Sequence, residues 1–177
     1  MDVVRLHDLK FRTYISAETI RKRVQEMGVA MNHDLRQERP LFIGILNGVF
    51  MFAGELMKQL DIECEITFVK LSSYEGTTSS GEVKTLIGLN TELKGRNVVV
   101  LEDIVDTGKT VSEFLKYLAT LQPESVRVAA LLFKPDALES DMDIDYIGFK
   151  VPNEFLVGFG LDYDGLGRNL KDIYVKV

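Results

Sequence analysis

Near-continuous apolar runs, LFIGIL (Leu41 to Leu46), ITFVKL (Ile66 to Leu71), NVVVLE (Asn97 to Glu102) and VRVAALLF (Val126 to Phe133), have the pattern of strands buried on both faces. Between them the apolar residues change to helical spacing. Ser16 is placed to cap a helix whose stripe is Ile20, Val24, Met27, Met31 and Leu35, closed by the charged stretch up to Pro40. Val49, Phe52, Ala53, Leu56 and Leu60 form a second stripe, and Val111, Phe114, Leu115, Leu118 and Leu121 a third. Strands alternating with helices predict an α/β chain: a central, mostly parallel sheet flanked by helices, with ligands beyond the carboxyl ends of the strands. Without repeats, low-complexity tracts or a proline-rich linker, residues 1–177 are expected to form one domain. The Ser/Thr/Gly-rich segment Ser72 to Val83 is expected to be a mobile loop. DYIGF, FLVGFGL and IYVKV read as short strands and turns added at the rim of the sheet.

Charge and residue counts exclude several functions. The net charge of −6 argues against a nucleic-acid footprint, which needs clustered Lys and Arg, so an anionic ligand must be held locally. No apolar stretch approaches the roughly 20 residues that cross a bilayer, and Met1 to Arg12 carry charges where a signal peptide needs an apolar centre; a cytoplasmic, membrane-free protein is expected. One cysteine, Cys64, and two histidines, His7 and His33, provide neither a disulfide nor a zinc cluster. Cys64 is expected to be a buried strand residue rather than a nucleophile.

The segment that carries chemistry is VVVLEDIVDTGKT, Val98 to Thr110. An apolar strand runs into Glu102 and Asp103, then Asp106-Thr107-Gly108-Lys109-Thr110, then an amphipathic helix. The first N–H groups of a helix lack internal partners and lie at the positive end of the macrodipole, so Thr107, Gly108 and Thr110 are suited to wrapping a phosphate monoester. Two adjacent carboxylates at a strand end suit ribose hydroxyls, directly or through hydrated Mg²⁺. An isolated acidic pair would be an ordinary polar strand exit; the coincidence of two acids, a third three residues past Asp103, and T-G-K-T before a helical stripe points to a sugar-phosphate site. Gly108-Lys109-Thr110 matches the end of a P-loop, but that motif requires glycine at position 103, where this chain has Asp.

Val98 to Thr110 resembles the phosphoribosyl pyrophosphate signature of the type I phosphoribosyltransferases, and nearly the whole chain is similar to their hypoxanthine-guanine branch. The resemblance implies that family's fold, with residues from about 150 to 177 contributing to a small hood over the purine. It also implies a helix-strand start with a pyrophosphate loop at Leu46-Asn47-Gly48-Val49, whose Leu46–Asn47 peptide is cis. The flexible lid of the family matches 72–84, with Ser73 and Tyr74 as its contacts. Asp106 would accept the proton near purine N7, and Thr107, Gly108, Lys109 and Thr110 would join it around the 5′-phosphate. Glu102 and Asp103 would face the ribose. Lys134 in LLFKP would donate to the 6-oxo group, rejecting a 6-amino base that cannot accept that bond. Phe155 would stack on the base, the backbone of Leu156 would read its edge, and Asp162 would sit beside both base and metal. Asn47, Gly48 and Arg168 would bind pyrophosphate, Arg as a fixed fork. The implied metal is Mg²⁺, with Glu102, Asp103 and Asp162 around it.

The implied reaction transfers the 5-phosphoribosyl group of phosphoribosyl pyrophosphate to N9 of hypoxanthine, with guanine second, giving IMP or GMP and pyrophosphate. A preference for xanthine or another base, or a regulator that only senses the sugar-phosphate donor, is the alternative. By resemblance, the partners are these small molecules and further copies of the chain, as a dimer or tetramer. Two departures stand out. Asn47 occupies a position where relatives often carry Lys or Arg, and Asp136-Ala137-Leu138-Glu139 follows Lys134-Pro135 without the basic residues common there.

Overall fold

The computed structural model describes residues 3–72 and 84–177. A hairpin of β1 (Val3–Leu6) and β2 (Leu9–Ile15) precedes α1 (Ala17–Asp34), β3 (Leu41–Leu46) and α2 (Phe50–Met57). β4 (Glu65–Ser72), β5 (Lys84–Ile87), β6 (Asn97–Val105), α3 (Lys109–Thr120) and β7 (Ser125–Phe133) follow. β8 (Tyr146–Lys150), β9 (Leu156–Val157) and β10 (Ile173–Lys176) end the chain. The main sheet has the order β5-β4-β3-β6-β7-β8, parallel except where β5 pairs antiparallel with β4. The expected α/β class and mostly parallel sheet are therefore present.

Alternation along the central strands explains why helices cover both faces. Phe42, Val99, Leu101, Ala129 and Leu131 face α1 and α2, whereas Leu41, Ile43, Val98, Val100, Val128 and Ala130 face α3. α1 buries Ile20, Val24, Met27 and Met31 as its spacing predicts, each worth about 1.5–3 kcal/mol when withdrawn fully from water. Its first turn is held twice: Ser16 Oγ accepts the Thr19 N–H at 3.2 Å, and the buried Asp172 carboxylate accepts the Ala17 N–H at 2.6 Å. The second contact ties the end of the chain to the start of α1. No helix among the described residues is long and apolar enough to cross a membrane.

Several expectations need correction. The chain starts with a hairpin rather than going straight to the helix. β1 and β2 join β10 and β9 in a separate antiparallel sheet, order β1-β2-β10-β9, around Phe11, Val157 and Tyr174. The hood is thus built from both ends of the chain. DYIGF is not a rim addition: Tyr146–Lys150 is a full parallel edge strand, paired with β7 from Ala129↔Tyr146 to Phe133↔Lys150. Its exposed edge is tied down by Arg23 of α1, which donates to the Ile147 and Gly148 carbonyls at 2.7 and 2.8 Å. α2 stops at Met57, leaving Leu60 beyond it. Cys64 is half-buried and lies just before β4 rather than in a strand, with its thiol pushed up by burial.

Candidate active site

The carboxyl ends of β3, β6 and β7 converge on one rim, and the hood segment Leu156 to Leu170 reaches that rim. β6 continues to Val105, so Glu102 and Asp103 lie within the strand rather than after it. Both are largely withdrawn from solvent. Glu102 Oε2 is buried without a hydrogen-bond partner, even though the residue as a whole keeps some exposure. Burial, and next the charge of Asp103, hold the Glu102 carboxyl well above its ordinary range. Burial likewise pushes Asp103 up to about 6, opposed by backbone N–H groups, of which Ile104 N–H donates to Oδ1 at 2.9 Å. A buried acid pair with an orphaned oxygen is a site that lacks donors or a cation.

Asp103 explains the glycine after Asn47. A Cβ on Gly48 would stand 1.6 Å from Asp103 Oδ2, so the turn leaving β3 lies against that carboxylate only because no side chain intervenes. The Leu46–Asn47 peptide of this turn is cis, as the resemblance implied. Asn47 is exposed at the mouth, while Gly48 is buried. From the hood, Gly160 packs on the other side; a Cβ there would stand 1.9 Å from the Gly48 carbonyl oxygen. Only the Gly-Phe-Gly spacing of Gly158 to Gly160 hints at this contact along the chain.

After β6 the chain turns through Asp106 and Thr107 into α3, with Gly108 at the helix start at φ +76°, a conformation that favours glycine. The loop borders a cavity of about 110 Å³ lined by Glu102, Asp106, Thr107, Gly108, Lys109 and Thr110 among others. The Thr107 carbonyl is held on the outer side by the Glu139 N–H and the Ser140 hydroxyl, both at 3.0 Å. That leaves the start of the helix facing the cavity, with the positive end of its dipole there. The predicted phosphate residues are therefore together. The exception is the ammonium of Lys109, which pairs outward with Glu139.

At the end of β7 the Lys134 N–H donates to the Val105 carbonyl at 3.0 Å, which fixes the residue beside the β6 exit. Its side chain is buried, and Nζ donates to Asp106 Oδ2 at 2.7 Å and to Asn153 Oδ1 at 3.4 Å. Asn153 belongs to no motif, and its one signal along the chain is a polar residue between Pro152 and Phe155. Phe155 is 44% exposed, edge-on to Tyr163 at 5.6 Å and tilted against Phe11 at 6.0 Å. It is a ring presented at the rim, not a core residue. The Leu156 side chain is buried while its backbone pairs with Val175.

Asp162 and Arg168 lock the irregular part of the hood. Arg168 pairs with Asp162 Oδ1 at 2.7 Å and donates to the Gly160 carbonyl at 2.7 Å, and Asp162 Oδ2 accepts the Gly165 N–H at 2.8 Å. Both lie close enough to affect Asp103 electrostatically. Among the described residues no three His, Cys, Asp or Glu side chains converge as a preformed metal cage. Ser73 and Tyr74, the expected lid contacts, lie outside the described residues.

Comparison with known proteins points the same way. Residues 15–164 match the phosphoribosyl transferase domain family. The chain is 45% identical to the hypoxanthine-guanine phosphoribosyltransferase of Streptococcus mutans, covering 91% of this chain and 94% of that protein. It is 39% identical to the enzyme of the same name from Bacillus subtilis, covering 96% and 94%. The crystal structure of a hypoxanthine phosphoribosyltransferase from Staphylococcus aureus superposes with a TM-score of 0.90 at 35% identity, over 96% of this chain and 92% of that one. The chain is therefore a member of the phosphoribosyltransferase family, in its hypoxanthine-guanine branch.

Proposed function

We propose that the chain moves the 5-phosphoribosyl group of phosphoribosyl pyrophosphate onto N9 of hypoxanthine, and of guanine, in purine salvage. The observation that carries the reading is the Lys134–Asp106 pair, 2.7 Å long, which joins the end of β7 to the loop entering α3, with the half-exposed ring of Phe155 two residues after Asn153. A 6-oxopurine stacked on Phe155 would take a donor from Lys134 at its oxo group and give its N7 proton to Asp106. The bond from base nitrogen to C1′ forms as the C1′–oxygen bond breaks, and the electron pair leaves with pyrophosphate. Glu102 and Asp103 would face the ribose hydroxyls and shield the positive charge that develops on the sugar. The start of α3, with Thr107, Gly108 and Thr110, would hold the 5′-phosphate, and Asn47, Gly48 and Arg168 the pyrophosphate. The backbone of Leu156 would meet the edge of the base, and Ser73 and Tyr74 would close the site against water.

The acid set fits Mg²⁺ in the way that ion is usually bound, by one or two carboxylates together with substrate phosphates rather than by an all-protein cage. Glu102, Asp103 and Asp162 are the residues that would hold it, and the unpartnered Glu102 oxygen supports the assignment. When bound, the ion would neutralise charge on the leaving group. Further copies of the chain, as a dimer or tetramer, are the expected partners.

A spectrophotometric assay of hypoxanthine, guanine, xanthine and adenine with phosphoribosyl pyrophosphate, with and without Mg²⁺, tests the reading. Turnover of the first two bases, dependent on Mg²⁺, is the expected result. Preference for xanthine or adenine, or binding of the donor without turnover, would refute it.

A further inference from the structure

Lys134 has three N–H donors on a buried ammonium, and the structure accounts for two. One goes to Asp106 Oδ2 at 2.7 Å on the β6 side, the other to Asn153 Oδ1 at 3.4 Å on the hood side. The tetrahedral arrangement of the three hydrogens means that two committed donors fix the direction of the third. Asn153 is exposed and lies on a segment that is pinned at its start and turned just after it. The preceding Val151 is buried and its N–H donates to the Phe133 carbonyl at 2.8 Å, while the Glu154 N–H donates back to the Pro152 carbonyl at 2.7 Å. The amide therefore sits on a short anchored strap that leads directly into Phe155 and Leu156.

We propose that Asn153 is a positioning residue for base recognition: by accepting from Lys134 it turns the third N–H of the ammonium toward the 6-oxo group of the purine. The inference rests on the functional reading above. Without Asn153 the ammonium has one anchor, Asp106, about which it can swing; the oxo group must then stop that motion itself, and base affinity falls. The strap makes the effect specific to the base, because among the described residues the Asn153 side chain hydrogen-bonds to Lys134 and not to the turn at Gly48 or the acids of β6. The acceptor, not the amide N–H, is what the role needs, so a carboxylate in its place should serve.

Steady-state kinetics on Asn153→Ala and Asn153→Asp, with each substrate varied in turn, test this. Asn153→Ala should raise KM for hypoxanthine about fivefold to tenfold, the loss of one weak bond to a charged donor, while kcat and KM for phosphoribosyl pyrophosphate stay within about twofold. Asn153→Asp should return KM for the base to within about twofold of wild type. An unchanged KM for hypoxanthine in Asn153→Ala, an equal rise in both KM values, or no rescue by Asp would overturn the role. A second readout, the ¹⁵N resonance and hydrogen-exchange rate of the Lys134 ammonium in the protein without substrate, does not depend on turnover. Asn153→Ala should shift that resonance and speed its exchange; an unaltered signal overturns the contact. Wild-type protein that turns over no 6-oxopurine sinks the functional reading instead, and the resonance still decides whether Asn153 holds the ammonium.

Discussion

Replacing Asp103 with Asn removes a charge that the buried site accommodates poorly. Burial raises that carboxyl from 3.8 to about 6, so the folded protein keeps a proton that the unfolded chain releases. Because the folded-state value is the higher one, more protons are bound in the folded than in the unfolded state between the two values. Stability therefore falls as pH climbs from 3.8 toward 6 and stays lower above that window. Each tenfold difference in proton affinity is worth about 1.4 kcal/mol, which sets the loss at no more than roughly 3 kcal/mol. Glu102 acts in the same direction. Asn keeps the shape of the side chain and the acceptor for the Ile104 N–H, but does not titrate. Relative to wild type, Asp103→Asn should thus gain about 1–3 kcal/mol on going from pH 4 to pH 8, or several degrees in Tm for a chain of this size. Denaturant unfolding followed by circular dichroism in chelated buffers across that range measures it. A stability difference that stays constant with pH would refute the account of why this acid is perturbed.

Three further substitutions probe the other walls of the site. Gly48→Ala places a methyl group where Asp103 Oδ2 already stands, and should lower stability by about 1–3 kcal/mol in urea unfolding; Asp103→Ala added to it should recover stability but not activity. Lys134→Gln should narrow the preference for 6-oxopurines over 6-aminopurines, read as the ratio of kcat/KM values for hypoxanthine and adenine, and an unchanged ratio would remove Lys134 from base selection. Asp106→Asn should lower kcat by about 100-fold or less, the lower end of general-base effects, with turnover equal to wild type counting against its role as proton acceptor.

What could be read from the sequence was what local chemistry fixes. Ile20, Val24, Met27 and Met31 declare α1 by spacing, and LFIGIL declares a strand covered on both faces. The turn from Asp106 into α3 is legible because a strand, a left-handed glycine and a helix start must follow one another within a few residues. What escaped depends on residues far apart in the chain. Nothing in VVRL or LKFRTYI says that their partner is a strand near residue 175, so the hairpin and its role in the hood went unread. Tyr146–Lys150 is too short, and too evenly half-buried, for period to separate a sheet edge from a rim strand. Asn153 near Lys134 and Gly160 against Gly48 are contacts between segments whose separation along the chain hides them.

The same long-range contacts show how a chain with a net charge of −6 prepares for an anionic donor. At the rim Lys134 is paired with Asp106 and Arg168 with Asp162, and burial favours protons on Glu102 and Asp103. Substrate would then enter by exchanging partners rather than by filling a field of bare charge. The oxo group would take the third Lys134 N–H while Asp106 and Asn153 keep the other two, pyrophosphate would share Arg168, and ribose hydroxyls or a hydrated cation would take the place of protons on the two acids. Such exchanges would limit the exposure of buried charge without a partner, which matters because an uncompensated one costs several kcal/mol. They also place the parts in mechanical contact, since Asp103, Gly48 and Gly160 are stacked with no side chain between them. A shift of the hood would therefore be felt at the Gly48 turn, and that stack would link the base and pyrophosphate ends of the proposed site.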